Sequence, residues 1–161
     1  MSADTPRGFA ATRCVDERRR GDILALVHAA FAGLSPPSGA LHETIDEVAA
    51  RLAAGPVLIC EAGGELIGCV YGAVKEGGLY LTRMAVRPDW QKRGVGRALL
   101  LAAEAEARSR GLRKLTLRVR VNLPENRAFF ERAGFTVTGQ GQNPGRPAYE
   151  VMESPIADPA S

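Results

Sequence analysis

Residues 82–100 read TRMAVRPDWQKRGVGRALL. The stretch opens as a strand over Met84, Ala85 and Val86. Pro88 closes that strand, because proline has no N–H to give a sheet ladder. It ends as a helix predicted from Gly94 to Arg110. Leu99, Leu100, Ala103 and Ala107 share one side of it, and Glu104 and Arg108 form an i,i+4 pair on the other. Gly111 terminates it. Between strand and helix lie Gln91, Lys92, Arg93, Gly94, Val95, Gly96 and Arg97. A helix start has unpaired N–H groups and the positive end of the dipole. Glycines let a bulky anion approach the backbone, and the three cations add charge. The loop therefore suits a ligand with a pyrophosphate or several phosphates. It is not a Walker loop, which needs four residues between its first glycine and Gly-Lys-Ser/Thr. It is not a dinucleotide fingerprint either, because Leu99 stands where a third small residue belongs.

Outward from this loop, the segment from Leu79 to Val121 forms a strand, helix, strand crossover, which is right-handed and parallel in nearly all sheets. LTLRVRV alternates cleanly: Leu115, Leu117, Val119 and Val121 face one way, and Thr116, Arg118 and Arg120 the other. Upstream, GFAATRCV reads as a strand and DERRRGDILALVHAAFAG as a helix with Ile23, Leu24, Val27 and Phe31 on its apolar side. ETIDEVAARLAAG is a second helix, with Thr44 and Glu47 as a capping box. PVLICEAGGELIGCVYGAV is a hairpin turning at Gly63-Gly64. Downstream, ENRAFFERAG is a short helix, followed by the strands FTVTGQ and AYEVMES. The order β-α-α-β-β-β-α-β-α-β-β predicts an α/β fold with a mixed central sheet flanked by helices. Residues 1–161 read as a single domain, with a loose tail from Ser154 to Ser161.

Composition narrows the function classes. With 45% hydrophobic and 24% charged residues, a packed core is expected. The net charge of +3 is small and spread out, which gives no footprint for nucleic acid. No apolar run approaches the roughly 20 residues of a membrane span. MSADTPRG lacks the pattern of a signal peptide. A soluble cytoplasmic protein is expected, and the sequence does not address its oligomeric state. Cys14, Cys60 and Cys69 read as buried thiols. The hairpin places Cys60 opposite Ile67 and Cys69 opposite Leu58, so they are not disulfide partners. No metal is expected, because His28 and His42 have no Cys or His at ligand spacing. His28 reads as a packing or surface histidine.

The wider spelling around the loop resembles the acetyl-CoA signature of the GNAT superfamily, the Gcn5-related N-acetyltransferases. That signature is Gln/Arg-x-x-Gly-x-Gly/Ala after a strand with an apolar end, matched here by Gln91, Arg93, Gly94 and Gly96. ENRAFFERAGF resembles the family's later helix. The likeness runs from about Phe9 to Glu153.

The resemblance implies acetyl-CoA as co-substrate and an amine as acceptor. It implies that the strand before the loop bulges and splays, leaving a gap for the pantetheine arm beside Met84, Ala85 and Val86. The N–H groups from Gln91 to Gly96, with Lys92, Arg93, Val95 and Arg97 in or beside that loop, would hold the pyrophosphate. The backbone N–H of Val86 would stabilise the oxyanion. Asn122 or Asn126 would touch the arm, although Asn126 also reads as a helix-start residue. Two departures stand out. The family's frequent proton-donating tyrosine is replaced by Phe130, with Phe129 before it, and Tyr80 stands where some members carry a glutamate base. Tyr80 and Tyr149 are substitute candidates for the acid, and Glu43 and Glu150 for the base, although each also reads as a packing or surface residue. The acceptor pocket would be shaped by residues Gly33 to Glu43, and Arg118 and Arg120 would favour an acidic acceptor if their face lines it. The acceptor stays open among small amines, amino-acid derivatives, antibiotics and protein N-termini. The alternative is a non-catalytic acyl-CoA-sensing or regulatory module of the same fold.

Overall fold

Alternating burial along Lys114–Arg120 shows how the layers are built. Leu115, Leu117 and Val119 are buried on one face of the sheet, while Arg118 is exposed on the other. In the computed structural model, which describes residues 9–157, this strand is β5. Before it come β1 (Ala11–Arg13), α1 (Arg20–Phe31), α2 (Ile45–Ala54), β2 (Val57–Ala62), β3 (Glu65–Lys75), β4 (Gly78–Val86) and α3 (Val95–Ser109). After it come α4 (Pro124–Arg132), β6 (Thr136–Gly141) and β7 (Tyr149–Pro155). The seven strands form one mixed sheet in the order β1-β2-β3-β4-β5-β7-β6. Only β4 and β5 are parallel neighbours; every other pair is antiparallel.

Two apolar clusters cover the two faces. Leu79, Leu81, Leu117 and Met152 pack with Leu99, Leu100 and Ala103 of α3 and Phe130 of α4. Ile59, Cys69, Tyr71 and Ala85 pack on the other face with Ile23, Leu26 and Val27 of α1 and Val48 of α2. A Cβ on Gly68 of β3 would lie 2.6 Å from Val95 Cγ1 and 3.2 Å from Leu99 Cδ1. The bare glycine lets the first turns of α3 lie flush on the sheet, which fixes where that helix starts. Leu99 is fully buried there, a burial that contributes roughly 1.5–3 kcal/mol.

Local signals behave as their chemistry requires. The Thr44–Glu47 capping box opens α2, and Glu104 and Arg108 pair at 2.8 Å on α3. Other expectations need correction. A bulge between Cys60 and Glu61 shifts the hairpin register, so Cys60 faces Gly68 and Cys69 faces Ile59. The two thiols point to opposite faces, and all three cysteines are free and buried. On α1, Leu26 is the deeply buried residue beside Ile23 and Val27, while Leu24 and Phe31 are only partly covered. Val121 leaves the alternation, because β5 ends at Arg120 ahead of the turn into α4, and it is 49% exposed. Ser154 and Pro155 belong to β7, and Ile156 N–H donates to Arg113 C=O at 2.8 Å. Ser154 to Ile156 are thus held and not a loose tail, and the rest of that expectation, residues 158–161, lies outside the described residues, as does the leader reading of residues 1–8. No helix among the described residues is long and apolar enough to cross a membrane.

Candidate active site

The site begins with a defect in the sheet. Ala85 faces Cys69, but Thr82 faces Tyr71, so β4 carries one residue more than β3 between those pairs. The extra residue is a β-bulge, with Arg83 at φ 52°. A bulge bends its strand, and β4 leaves β5 after only two paired positions, Leu79 with Leu115 and Tyr80 with Thr116. The opposite side of β5 stays paired to β7 from Lys114 to Arg120. A gap therefore opens between the carboxyl ends of two parallel strands, the place where open α/β sheets take ligands.

The backbone at this gap has a defined polarity. Arg87 N–H donates to Ile67 C=O at 2.9 Å. Strand alternation then turns the N–H and C=O of Val86 the other way, toward the gap. Gln91 Nε2 donates to Val86 C=O at 3.4 Å, tying the loop to the strand end. Ala85 faces β3, and its side chain is buried beneath α1.

At the far lip lies the start of α3. Gly94 is its N-cap at φ 97°, Lys92 has φ 62°, and no side chain caps the helix. The first i−4 bond is Ala98 N–H to Gly94 C=O, so the N–H groups of Val95, Gly96 and Arg97 are open donors. Three such donors converging at an uncapped helix start fit a phosphate-bearing ligand. Gly96 also has a packing reason: its Cβ would lie 3.0 Å from Phe129 Cζ.

A cleft of about 1110 Å³ joins these parts. It holds Met84 and Val86, Gln91 and Lys92, Gly94, Gly96 and Arg97, together with Asn126, Phe129, Phe130 and Tyr80. The cleft passes from the α3 side of the sheet to the α1 side, where Gly33, Leu34, Ser38, Arg118 and Arg120 line it.

Several other predicted residues keep their side chains outside its lining. The Val95 side chain is buried against Gly68 while its N–H stays among the open donors of the helix start, and the Arg93 side chain lies 5.1 Å from the Trp90 ring centroid. Asn122 Nδ2 donates to Ser35 C=O at 3.1 Å and ties the α1–α2 loop to the end of β5. The Glu150 carboxylate is held by Arg127 Nη1 at 3.0 and 3.2 Å. Tyr149 is outside the lining but packs its ring on Arg118. Phe130 sits in an edge-to-face chain with Phe129 and Phe135. Among the described residues no three His, Cys, Asp or Glu side chains gather as metal ligands. His28 Nε2 lies 3.0 Å from Glu43 C=O, a packing role.

Sequence reasoning missed one cluster. Glu43, named as a candidate base but with a surface or packing place expected for it, is 5% exposed beneath the bulge. Tyr71 Oη donates to its carboxylate at 2.8 Å, and Arg83 Nε donates to its other oxygen at 3.4 Å. Burial, with the Glu43 charge nearby, pushes the Cys69 thiol up to about 12. Burial also raises the Tyr71 phenol, which keeps it a neutral donor to Glu43. The available signal was Arg83 itself, a cation in the middle of an otherwise apolar strand.

Fold and cleft together define an α/β protein with open N–H donors at a helix start beside a splayed parallel strand pair. Residues 23–135 match the profile of the acetyltransferase (GNAT) family. The chain belongs to that family, as the loop spelling led one to expect. It is 32% identical over 115 residues to the aminoglycoside N(6')-acetyltransferase type 1 of Stenotrophomonas maltophilia, a match covering 66% of this chain and 75% of that one. It is also 32% identical over 140 residues to the mycothiol acetyltransferase of Propionibacterium freudenreichii subsp. shermanii, covering 78% of this chain. The chain spans 43% of that protein and 32% of another long relative. The PaiA N-acetyltransferase of Thermoplasma acidophilum, solved in complex with coenzyme A, shares the fold with a TM-score of 0.76 at 17% identity, over 92% of this chain and 99% of that one.

Proposed function

We propose that this chain transfers an acetyl group from acetyl-CoA to a primary amine by direct attack within a ternary complex. The carrying observation is the through-sheet cleft, with open N–H donors at one end and Gly33, Leu34 and Ser38 after α1 lining the other. Two reactants entering from opposite faces meet at the gap, and this proximity supplies much of the acceleration.

Acetyl-CoA supplies an activated acyl group and a leaving thiol. The residues do the rest. The N–H groups of the α3 start hold the pyrophosphate, with Lys92 and Arg97 as mobile counter-charges. Met84 and Val86 pair with the pantetheine arm as a sheet edge pairs with an added strand. The Val86 N–H faces the carbonyl as negative charge develops on it. Asn126 and Phe129 flank the arm. The amine nitrogen bonds the acetyl carbon, the C–S bond breaks, and the displaced amine proton passes to water. No carboxylate of β4 is available to take that proton, and Phe130 offers none to the thiolate. A thiol of pKa near ~8.5 still leaves tolerably near neutrality. Tyr80 is the phenol lining the cleft and the nearer candidate acid; Tyr149 acts there only through Arg118. The acetyl-CoA supply of the cytoplasm makes that the compartment proposed.

The hydroxyl-free Phe129–Phe130–Phe135 cluster, with Phe130 and Phe135 buried, favours a second reading, an acyl-CoA-sensing module without turnover. Thiol release separates the two. With acetyl-CoA and a broad amine panel, amine-dependent release above the hydrolysis background is expected. Background release with every amine, from folded protein that binds acetyl-CoA, would replace the enzyme reading with the sensing one.

A further inference from the structure

On the α1 face of the cleft, β5 presents two arginines whose situations differ. Arg120 is committed: its Nη1 donates to Pro36 C=O at 2.6 Å and its Nη2 to Pro37 C=O at 3.4 Å. These bonds hold the α1–α2 loop against the end of β5. Arg118 lines the same cleft and makes no ion pair among the described residues. Its guanidinium carbon lies 4.5 Å from the centroid of the Tyr149 ring and 5.9 Å from that of Tyr80. Contact with an aromatic face orients the flat cation without consuming its N–H donors. Of the carboxylates on neighbouring elements, Glu150 is engaged by Arg127 and Glu43 by Arg83 and Tyr71, while Glu125 at the start of α4 lines the same cleft without pairing to Arg118.

The result is an oriented donor fork in the wall where the acceptor enters. Its geometry matches a carboxylate, which takes two parallel N–H bonds from guanidinium. We propose that Arg118, held between Tyr149 and Tyr80, binds a carboxylate of the acceptor, which is therefore a small amine that also carries a carboxylate. This rests on the acetyl-transfer reading. The carboxylate takes no part in bond making: the amine nitrogen gains the acetyl group, the thiol leaves, and the proton goes to water. An acceptor without the carboxylate leaves the fork unpaired and loses a charge-assisted interaction.

The test uses a series of amino acids with increasing separation between amine and carboxylate, each beside its primary amide. Thiol release is compared per unit of free-base amine. At the best-fitting length the wild type is expected to favour the acid over its amide by about tenfold or more in kcat/KM. In Arg118→Gln the preference collapses toward unity, chiefly through a raised KM for the acid. Arg118→Lys, which keeps the charge but loses the fork, falls between. Acetyl-CoA affinity by calorimetry and melting temperature stay at wild-type values in both variants. Equal use of acid and amide at every length by the wild type would overturn the proposal, as would an unchanged preference in Arg118→Gln. Failure of the acetyl-transfer reading looks different: no thiol release with any amine from either protein, which overturns both.

Discussion

Phe130 carries the sharpest chemical consequence at the scale of single residues. It lies in the cleft wall, 8% exposed, and in the proposed reaction a phenol at this position would face the departing thiol. General acid assistance is worth about 10²- to 10⁴-fold where it operates. Phe130→Tyr is expected to raise kcat by tenfold or more for a poor acceptor, with a smaller change in KM, as read by steady-state thiol release. An unchanged kcat would place the proton path elsewhere, with Tyr80 the next residue to substitute. Gly96 illustrates how one residue serves two ends. The spelling suggested room for an anion, and the structure adds the ring of Phe129 at 3.0 Å from its missing Cβ. Gly96→Asp would therefore disturb packing as well as charge, and exposed Arg97 is the cleaner position at which to test the loop.

Elements position these residues, and α3 does most of it. Its start is set by Gly68, where even one added methyl meets Val95 at 2.6 Å. Overpacking of this kind costs about 1–3 kcal/mol. Gly68→Ala is expected to lower the melting temperature by about 2–10 °C and to weaken acetyl-CoA binding in parallel, because the displaced helix start carries the phosphate donors. Lost stability with wild-type affinity would uncouple the helix start from the ligand. The element types were legible in the sequence because their signals are local: the alternation in β5, the apolar stripe of α3, the capping box of α2. The register of β2 on β3 was not legible. A bulge after Cys60 needs only one unpaired residue, and no composition cue marks it. The same limit applied to β4, whose bulge came from the family likeness and not from its spelling.

Across the whole molecule, what the sequence withheld was everything formed by distant segments. The phosphate loop is one contiguous stretch, so its residues could be named in advance. The proposed acceptor side gathers the end of α1, the loop after it, β4 and β5, and those meet only in the fold. Glu43 shows the consequence. Its neighbours in sequence are ordinary for a surface turn, while its neighbours in space are Tyr71 and Arg83, 28 and 40 residues away. The same long-range assembly isolates Arg118 and commits Arg120. It also joins two faces of one sheet through a single gap, and the proposed activity rests on acetyl-CoA entering that gap. Calorimetric titration with acetyl-CoA, run beside Arg97→Glu, tests it most directly. One saturable site in the wild type is predicted, with affinity reduced about tenfold or more by the charge reversal at unchanged melting temperature. Folded protein that takes up no acetyl-CoA, or a variant that binds it as tightly as wild type, would contradict the account.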